Sequence, residues 1–491
     1  MKLANPFRFL KFKKNISFAK ILINDSLIYK KNSYHHHHFH KFSLANNIIN
    51  KSVSSSLLFQ NSIQSNKYQT KNDSAYSYST TTSGLFIKEI IKNTTSLSIK
   101  WSNSNSFTKF NYIWLRDTCQ CPLCIHPDSR QKLFSSSEVP LDIKPISIEF
   151  DSDKLVILWD KGLQSITYKS NANNNSHKPH ESTYPISFLH SYSTKENISK
   201  LRYDHLKPIL WDRSSLLKSS QNLWTTYYDY MNSDKNLLDT LRQILDYGLV
   251  IIKNVPTDED GKGIISVAER IGTIKSTFYG KVFDVKSIPA ANNIAYTDLH
   301  LGLHMDLLYY DAPPGLQFLQ CIKNSVTGGQ SIFSDSFKAI NNLKLSNPNY
   351  FNLLTKFPIP FHYKNNGHHL HYNRPAIVID DNNETLNVNY SPPFQGPIEF
   401  NLDTNHDEAD LIEFYKAYQQ FCICIENPSL IFEFTLKPGD LVIFVNRRVL
   451  HGRKSFDSRS GQRHLKGTYV EYSEFKDRLM ALMEKKNNNK L

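Results

Sequence analysis

The octapeptide Leu301-Gly-Leu-His-Met-Asp-Leu-Leu sets the strongest limit on how this chain can fold. Side chains alternate across a β-strand. A strand here puts His304 and Asp306 on one face and Leu301, Leu303, Met305 and Leu307 on the other, where they can bury. An imidazole and a carboxylate two residues apart make two-thirds of a metal clamp. His451 is the candidate third ligand, because it follows a Gly-Asp turn and the apolar run Leu441 to Val445, as a histidine ending a later strand of the same barrel would. Two histidines and one carboxylate on one face of an octahedral ion leave three adjacent positions open, a pattern suited to Fe(II). An ordinary polar strand edge has the same short spacing, so the reading depends on what accompanies it.

At 491 residues the chain exceeds the roughly 250 to 300 residues at which one hydrophobic core stops growing, so two domains plus extensions are expected. No apolar run reaches the roughly 18 residues that a bilayer crossing needs, and a soluble mature protein without a membrane partner is expected. The six cysteines form a close trio (Cys119, Cys121, Cys124), a lone Cys321, and the pair Cys422 and Cys424. That grouping is not a disulfide framework and points to a reducing compartment.

The net charge of +13 raises a nucleic-acid reading, which its distribution counts against. Residues 1–50 hold nine Lys or Arg against the single acid Asp25, hence +8 of the +13. Lys2, Arg8, Lys11, Lys13, Lys14 and Lys20 alternate with Phe7, Phe9, Leu10, Phe12, Ile16, Phe18 and Ile21. A basic, acid-poor, amphipathic start of this kind fits a mitochondrial transit peptide; a basic tail on a cytoplasmic protein is the alternative. The run His35 to His38 and the Ser/Asn-rich stretch after it read as solvated low-complexity sequence.

Globular sequence begins near Leu85, with strand-like pieces at Leu85 to Ile91 and Leu97 to Trp101. Cys119, Cys121 and Cys124 then fall within six residues, close enough to share one tetrahedral zinc ion. The fourth ligand is open among His126, His177 and His180 on spacing alone. A closed four-ligand site would be structural and would stake a small β-domain with a thin core. A polar, helix-leaning connector follows. Leu237, Leu238, Leu241, Ile244 and Leu245 recur at helical spacing, which predicts a helix over 235–247, and Gly248-Leu-Val-Ile-Ile-Lys reads as a buried strand. Beyond it, short apolar runs alternate with Gly, Pro and Asn turns to about residue 475, as in a double-sheet jelly roll, with a helical insertion near Asp407 to Cys424. Cys422 and Cys424 cannot share a helix face and are expected in the core.

The expected architecture is therefore mainly β with flanking helices. A leader and low-complexity segment (1–83) and a small zinc-binding β-rich domain (84–193) are followed by a connector (194–233), a double-stranded β-helix (234–483) and a polar tail (484–491).

Several ordered motifs carry a family resemblance. They are Trp114-Leu-Arg-Asp-x-Cys-x-Cys-x-x-Cys, Ala291-Asn-Asn-Ile-Ala-Tyr-Thr, His304-Met-Asp306, Thr327-Gly-Gly-Gln-Ser, Asn446-Arg-Arg-Val-Leu-His-Gly-Arg, and Arg463 twelve residues past His451. Over residues 84 to 483 the chain resembles the Fe(II)- and 2-oxoglutarate-dependent oxygenases of the taurine dioxygenase type, and more closely the γ-butyrobetaine and trimethyllysine dioxygenases of carnitine synthesis. The resemblance implies Fe(II) on His304, Asp306 and His451, with 2-oxoglutarate as co-substrate and ascorbate as an accessory reductant. It also implies a homodimer and a small-molecule substrate. Its jelly-roll barrel is an oxygenase barrel. It places the distal carboxylate of 2-oxoglutarate on Arg463, whose planar fork suits a carboxylate, with the Ser331 hydroxyl beside it. Arg453 is the rival, expected to make a surface or supporting contact. His180-Glu-Ser-Thr-Tyr resembles the segment that supplies the family's fourth zinc ligand, which selects His180.

The γ-butyrobetaine enzymes hold a quaternary ammonium in a cage of aromatic rings, since that group has no N–H to donate. The matching positions are Tyr279, Phe283, Tyr296 and Tyr469, with Asn293 as a polar contact. Phe283 stands where these enzymes carry tryptophan. In Asn387-Val-Asn-Tyr-Ser-Pro-Pro, Tyr390 replaces one of two amides that they place near the substrate carboxylate. Hydroxylation of γ-butyrobetaine is the expected activity and trimethyllysine or another amine the alternative within the family. A non-catalytic, zinc-dependent binding protein on an oxygenase barrel is the alternative outside it. Nucleic-acid demethylation would need an exposed basic groove, and most of the excess charge lies in the leader.

Overall fold

The computed structural model describes residues 84–163, 179–288, 293–398 and 408–488. The expected leader, the histidine run and His177 lie outside the described residues. The N-terminal part holds two three-stranded antiparallel sheets. One is built from Ile87–Lys92, Ser96–Trp101 and Phe107–Asn111, the other from Pro145–Phe150, Lys154–Trp159 and His180–Pro185. Their alternating apolar residues Leu97, Ile99, Trp101, Leu155, Ile157, Trp159 and Tyr184 share one core with Leu115. Leu115 lies on the short helix Tyr112–Asp117, where Asn111 Oδ1 caps the first turn by accepting from Ile113 N at 2.8 Å.

The larger part contains a six-stranded and a four-stranded sheet. In spatial order the first runs Trp224–Thr226, Leu249–Lys253, Leu441–Val445, Leu316–Asn324, Arg463–Val470 and Phe283–Lys286. The second runs Leu301–His304, Val449–Arg453, Ser331–Asp335 and Ile431–Phe434. All pairings are antiparallel except that of Trp224–Thr226 with Leu249–Lys253. Val442, Phe444, Leu319 and Leu465 of the large sheet pack against Phe333, Phe432 and Val449 of the small one. Leu441, Ile443 and Val445 point the other way, onto Leu237, Leu241 and Ile244 of the helix Asp234–Tyr247 and onto Phe475 and Leu479 of Tyr472–Asn487. The period-2 alternation of a single strand thus serves both layers, which is why its five residues are all buried.

The expected helix over 235–247 is Asp234–Tyr247, capped by Ser233 and ended by Gly248 at φ 72°. That positive φ, and the 2.8 Å approach of Val449 Cγ2 to a hypothetical Cβ, require glycine there. The expected insertion is the helix Glu408–Ile425; it packs with Ser336–Ser346 and Pro348–Leu354 in a core that also takes Leu303, Ile332 and Leu450 from the barrel strands. Cys422 and Cys424, expected in the core, pack half-buried against its rim, whereas Cys321 is buried.

Residues 194–233 do more than connect. Trp224–Thr226 forms an edge strand of the large sheet, and the backbone N–H of the buried Trp211 donates to Asp335 Oδ2 at 3.0 Å. Among the described residues no helix is long and apolar enough to cross a membrane.

Candidate active site

Strand register brings the two distant histidines together. His304 and His451 are direct partners in the antiparallel pairing of Leu301–His304 with Val449–Arg453, and their ring centroids lie 4.2 Å apart. Asp306 reaches the same point by another route than strand alternation, which corrects the sequence expectation. The strand ends at His304, and Leu307 takes a positive φ of 61°. The turn is held by Asn446, whose Oδ1 accepts from Asp306 N at 3.0 Å while its Nδ2 donates to Asp306 O at 3.1 Å. The apolar partners divide differently: Leu303, Met305 and Leu307 join the core under the inserted helices, while Leu301, together with Leu307, lines the same cavity as His304.

The donor set fits a divalent metal. One ligand atom from each of His304, Asp306 and His451 lies within 4.8 Å of the others. Gly302 O can only accept, so the 2.9 Å contact puts a proton on His304 Nδ1 and turns Nε2 toward the cluster, 3.3 Å from Asp306 Oδ1. Burial, with the neighbouring His304 adding to it, pulls His451 down to about 3, so its ring is neutral. Burial alone would raise the Asp306 carboxyl, but its close contacts with His304 and His451 and the hydrogen bond from Tyr469 outweigh it and hold the group well below the usual carboxylate range. A neutral His451 and an ionised Asp306 are the protonation states that metal binding needs of them.

A cleft opens onto these atoms. Tyr279, Phe283, Asn293, Tyr296, Tyr469, Ser331 and Arg463, all expected from sequence, line it, and so does Arg453. The Phe283 ring stacks on Tyr469 at 5.2 Å between centroids and lies 5.8 Å from Tyr279. Asn293 Nδ2 donates to Tyr279 OH at 3.0 Å, so this amide orients a ring of the wall. Burial raises the phenols, Tyr296 to about 12 and Tyr279 further, so the wall is uncharged.

The two arginines separate by their partners. Arg453 is buried rather than at the surface, and it donates to Ala295 O at 3.1 Å and Leu299 O at 2.7 Å, tying down the loop that carries Asn293 and Tyr296. Arg463 is 8% exposed, its Nε is unpaired, and it has no ion pair among the described residues. Burial and the nearby Arg453 lower it to about 10. A buried guanidinium without a counter-charge is a receptor for a carboxylate, and Arg463 rather than Arg453 is the one left open. Gly329 makes room for it, since a Cβ there would stand 3.3 Å from Arg463 Nε.

Some expected neighbours do not reach the cleft, and others were not anticipated. Tyr390 is buried beside the helix Glu408–Ile425 and donates to Glu426 Oε1 at 2.7 Å; residues 387–390 do not line the cavity. Gln317, Tyr309 and Phe394 do. Gln317 left one signal in the sequence, an amide within the apolar run Leu316 to Leu319.

The cysteine trio forms a second cluster. Cys119, Cys121 and Cys124 place their sulfurs 3.4, 3.6 and 3.5 Å from His180 Nε2. His126 is occupied elsewhere, its Nδ1 accepting from the Asp128 and Ser129 amides.

Comparison with known proteins agrees with this geometry. The model of the taurine catabolism dioxygenase TauD, TfdA family matches residues 222–469, and that of the gamma-butyrobetaine hydroxylase-like N-terminal domain matches 89–171. The chain is 38% identical to dioxygenase str8 of Strobilurus tenacellus over 383 residues, covering 75% of this chain and 84% of that protein. It is 31% identical to the gamma-butyrobetaine dioxygenase of Pseudomonas sp. strain AK-1 over 392 residues (79% and 93%). It is 28% identical to the mitochondrial trimethyllysine dioxygenase of Homo sapiens over 376 residues (75% and 81%). With a barrel, a 2-His-1-carboxylate cluster and an unpaired arginine in one cleft, the chain belongs to the TauD/TfdA family of Fe(II)- and 2-oxoglutarate-dependent dioxygenases, in the group that carries a γ-butyrobetaine hydroxylase-like N-terminal domain.

Proposed function

We propose that this enzyme hydroxylates γ-butyrobetaine, or a close trimethylammonium acid, as a mitochondrial step of carnitine synthesis. The observation that carries the reading is the composition of the cleft. Tyr279, Phe283, Tyr296 and Tyr469 line it, and Asp306, committed to the metal, is the sole carboxylate among its described lining residues. A cation held there must rest on ring faces rather than on an ion pair, as a quaternary ammonium does. Trimethyllysine adds a free α-ammonium that wants an acceptor, and the cleft offers it no second carboxylate.

His304, Asp306 and His451 would hold the iron and Arg463, with Ser331, the far carboxylate of 2-oxoglutarate. Iron bound there, with 2-oxoglutarate and dioxygen, supplies the oxidising power for C–H hydroxylation, releasing succinate and CO2. The chain's own residues position and enclose. The aromatic wall fixes the ammonium end of the substrate, and Leu301, Leu307 and Leu319 keep water from the reacting carbon. Cys119, Cys121, Cys124 and His180 would hold a structural zinc that staples the turn after Tyr112–Asp117 to the strand His180–Pro185. The mitochondrial placement is supported by the basic start of the chain and by the mitochondrial relative; a homodimer is part of the same proposal.

Purified protein with Fe(II) and 2-oxoglutarate, given γ-butyrobetaine or trimethyllysine in separate reactions, tests the substrate. Succinate release driven by γ-butyrobetaine is expected; release driven by trimethyllysine alone overturns the proposal.

A further inference from the structure

Asp306 presents its two carboxylate oxygens to different surroundings. Oδ1 faces His304 Nε2 at 3.3 Å. Oδ2 accepts two hydrogen bonds, from Gln317 Nε2 at 2.7 Å and from Tyr469 OH at 2.7 Å. Gln317 and Tyr469 are register partners on the adjacent strands Leu316–Asn324 and Arg463–Val470, so sheet pairing fixes both donors side by side under one oxygen.

Gln317 is 1% exposed and sits among Leu316, Phe318 and Leu319. An amide in such a place costs stability unless it is satisfied, yet its Oε1 has no partner among the described residues. The reverse orientation would turn that oxygen onto a carboxylate, so the donor is held toward Asp306 by chemistry. Packing does not explain the residue. Its short contact with Asp306 does, with His451 Nε2 farther off at 3.5 Å from the same nitrogen.

We infer that Gln317 and Tyr469 are a paired clamp that occupies Oδ2 of Asp306 and leaves Oδ1 as the single oxygen offered to the metal. A carboxylate binding through both oxygens would take a position that the keto acid or dioxygen needs; the clamp keeps three open. Tyr469 is therefore a residue with two functions: its ring belongs to the substrate wall and its hydroxyl to the metal carboxylate. Gln317 is a positioning residue that acts on the metal through Asp306. The inference rests on His304, Asp306 and His451 being the metal ligands.

Mn(II) is a suitable probe, because it favours oxygen and nitrogen donors over the thiolates of the cysteine cluster, and its free ion is counted by electron paramagnetic resonance. Titrations of the full-length protein compare wild type with Gln317→Met, Tyr469→Phe, the double variant and His304→Ala. Tyr469→Phe keeps the ring and Gln317→Met the length, and thermal unfolding of each metal-free variant monitors the fold. Each single change is expected to weaken Mn(II) binding roughly 10- to 100-fold, as loss of a partner to a metal ligand does, and the double change by more than either. Wild-type affinity in both single variants, with binding lost in His304→Ala, overturns the clamp alone. Wild-type affinity in His304→Ala overturns the ligand assignment and the clamp with it.

Discussion

His304 and His451 face each other as register partners on neighbouring antiparallel strands, with their rings 4.2 Å apart. Cross-strand partners are fixed by the hydrogen-bond ladder, so the two side chains leave the backbone at facing positions. Replacing either with alanine should therefore leave secondary structure intact by circular dichroism while 2-oxoglutarate turnover falls by about 100-fold or more. Turnover kept in both variants would remove these residues from the metal.

Arg463 and Arg453 make opposite predictions. Lysine at 463 keeps the charge but loses the fork, and should raise KM for 2-oxoglutarate about tenfold or more with a smaller change in kcat. Lysine at 453 frees Ala295 O and Leu299 O and should act on the organic substrate instead. Steady-state kinetics in both substrates checks this, and a 2-oxoglutarate defect confined to Arg453→Lys would exchange the roles.

Gly467 is the floor under Phe283. The two are cross-strand partners, and a Cβ on Gly467 would fall 2.3 Å from the Phe283 ring. Gly467→Ala should push that ring into the cleft, raise KM for the trimethylammonium substrate and lower stability by about 1 to 3 kcal/mol. Denaturant unfolding and substrate titration measure the two effects; a variant unchanged in both would show that the ring has room to move.

Acid should destabilise the metal-free protein through His451. Its folded value of about 3 lies below the ordinary 6.5, so the unfolded chain takes up the proton first. The contribution is complete above pH 6.5 and is lost as the pH falls toward 3. Between pH 7 and 5.5 it should amount to roughly 1 to 2 kcal/mol. Urea midpoints of wild type and His451→Gln, both in chelator, test it: the variant's slope against pH should be shallower, and parallel slopes would contradict the assignment.

Much of this was legible because it depends on local pattern. The helical spacing of Leu237, Leu241 and Ile244 and the all-apolar Leu441 to Val445 are properties of a few neighbouring residues. The three side chains that converge as candidate metal ligands were legible too, through chemistry and motif order. What escaped depends on long-range register. Gln317 acquires its meaning only when its strand pairs with that of Tyr469, and Asn446 only when its side chain braces the turn at Asp306. The end of the strand at His304 escaped for the same reason, since Met305 turns away to donate to Tyr390 O, a residue distant in sequence. Tyr390 itself was placed near substrate by resemblance, whereas packing against Phe421 and the bond to Glu426 draw it into the helical core.

The most direct test of the central claim is mass spectrometry of the product formed from γ-butyrobetaine under ¹⁸O₂, with succinate counted alongside. The account predicts a hydroxylated trimethylammonium acid carrying one ¹⁸O atom for each succinate released, and no product from His304→Ala. Succinate formed without labelled product, or labelled product formed equally well by His304→Ala, would contradict it.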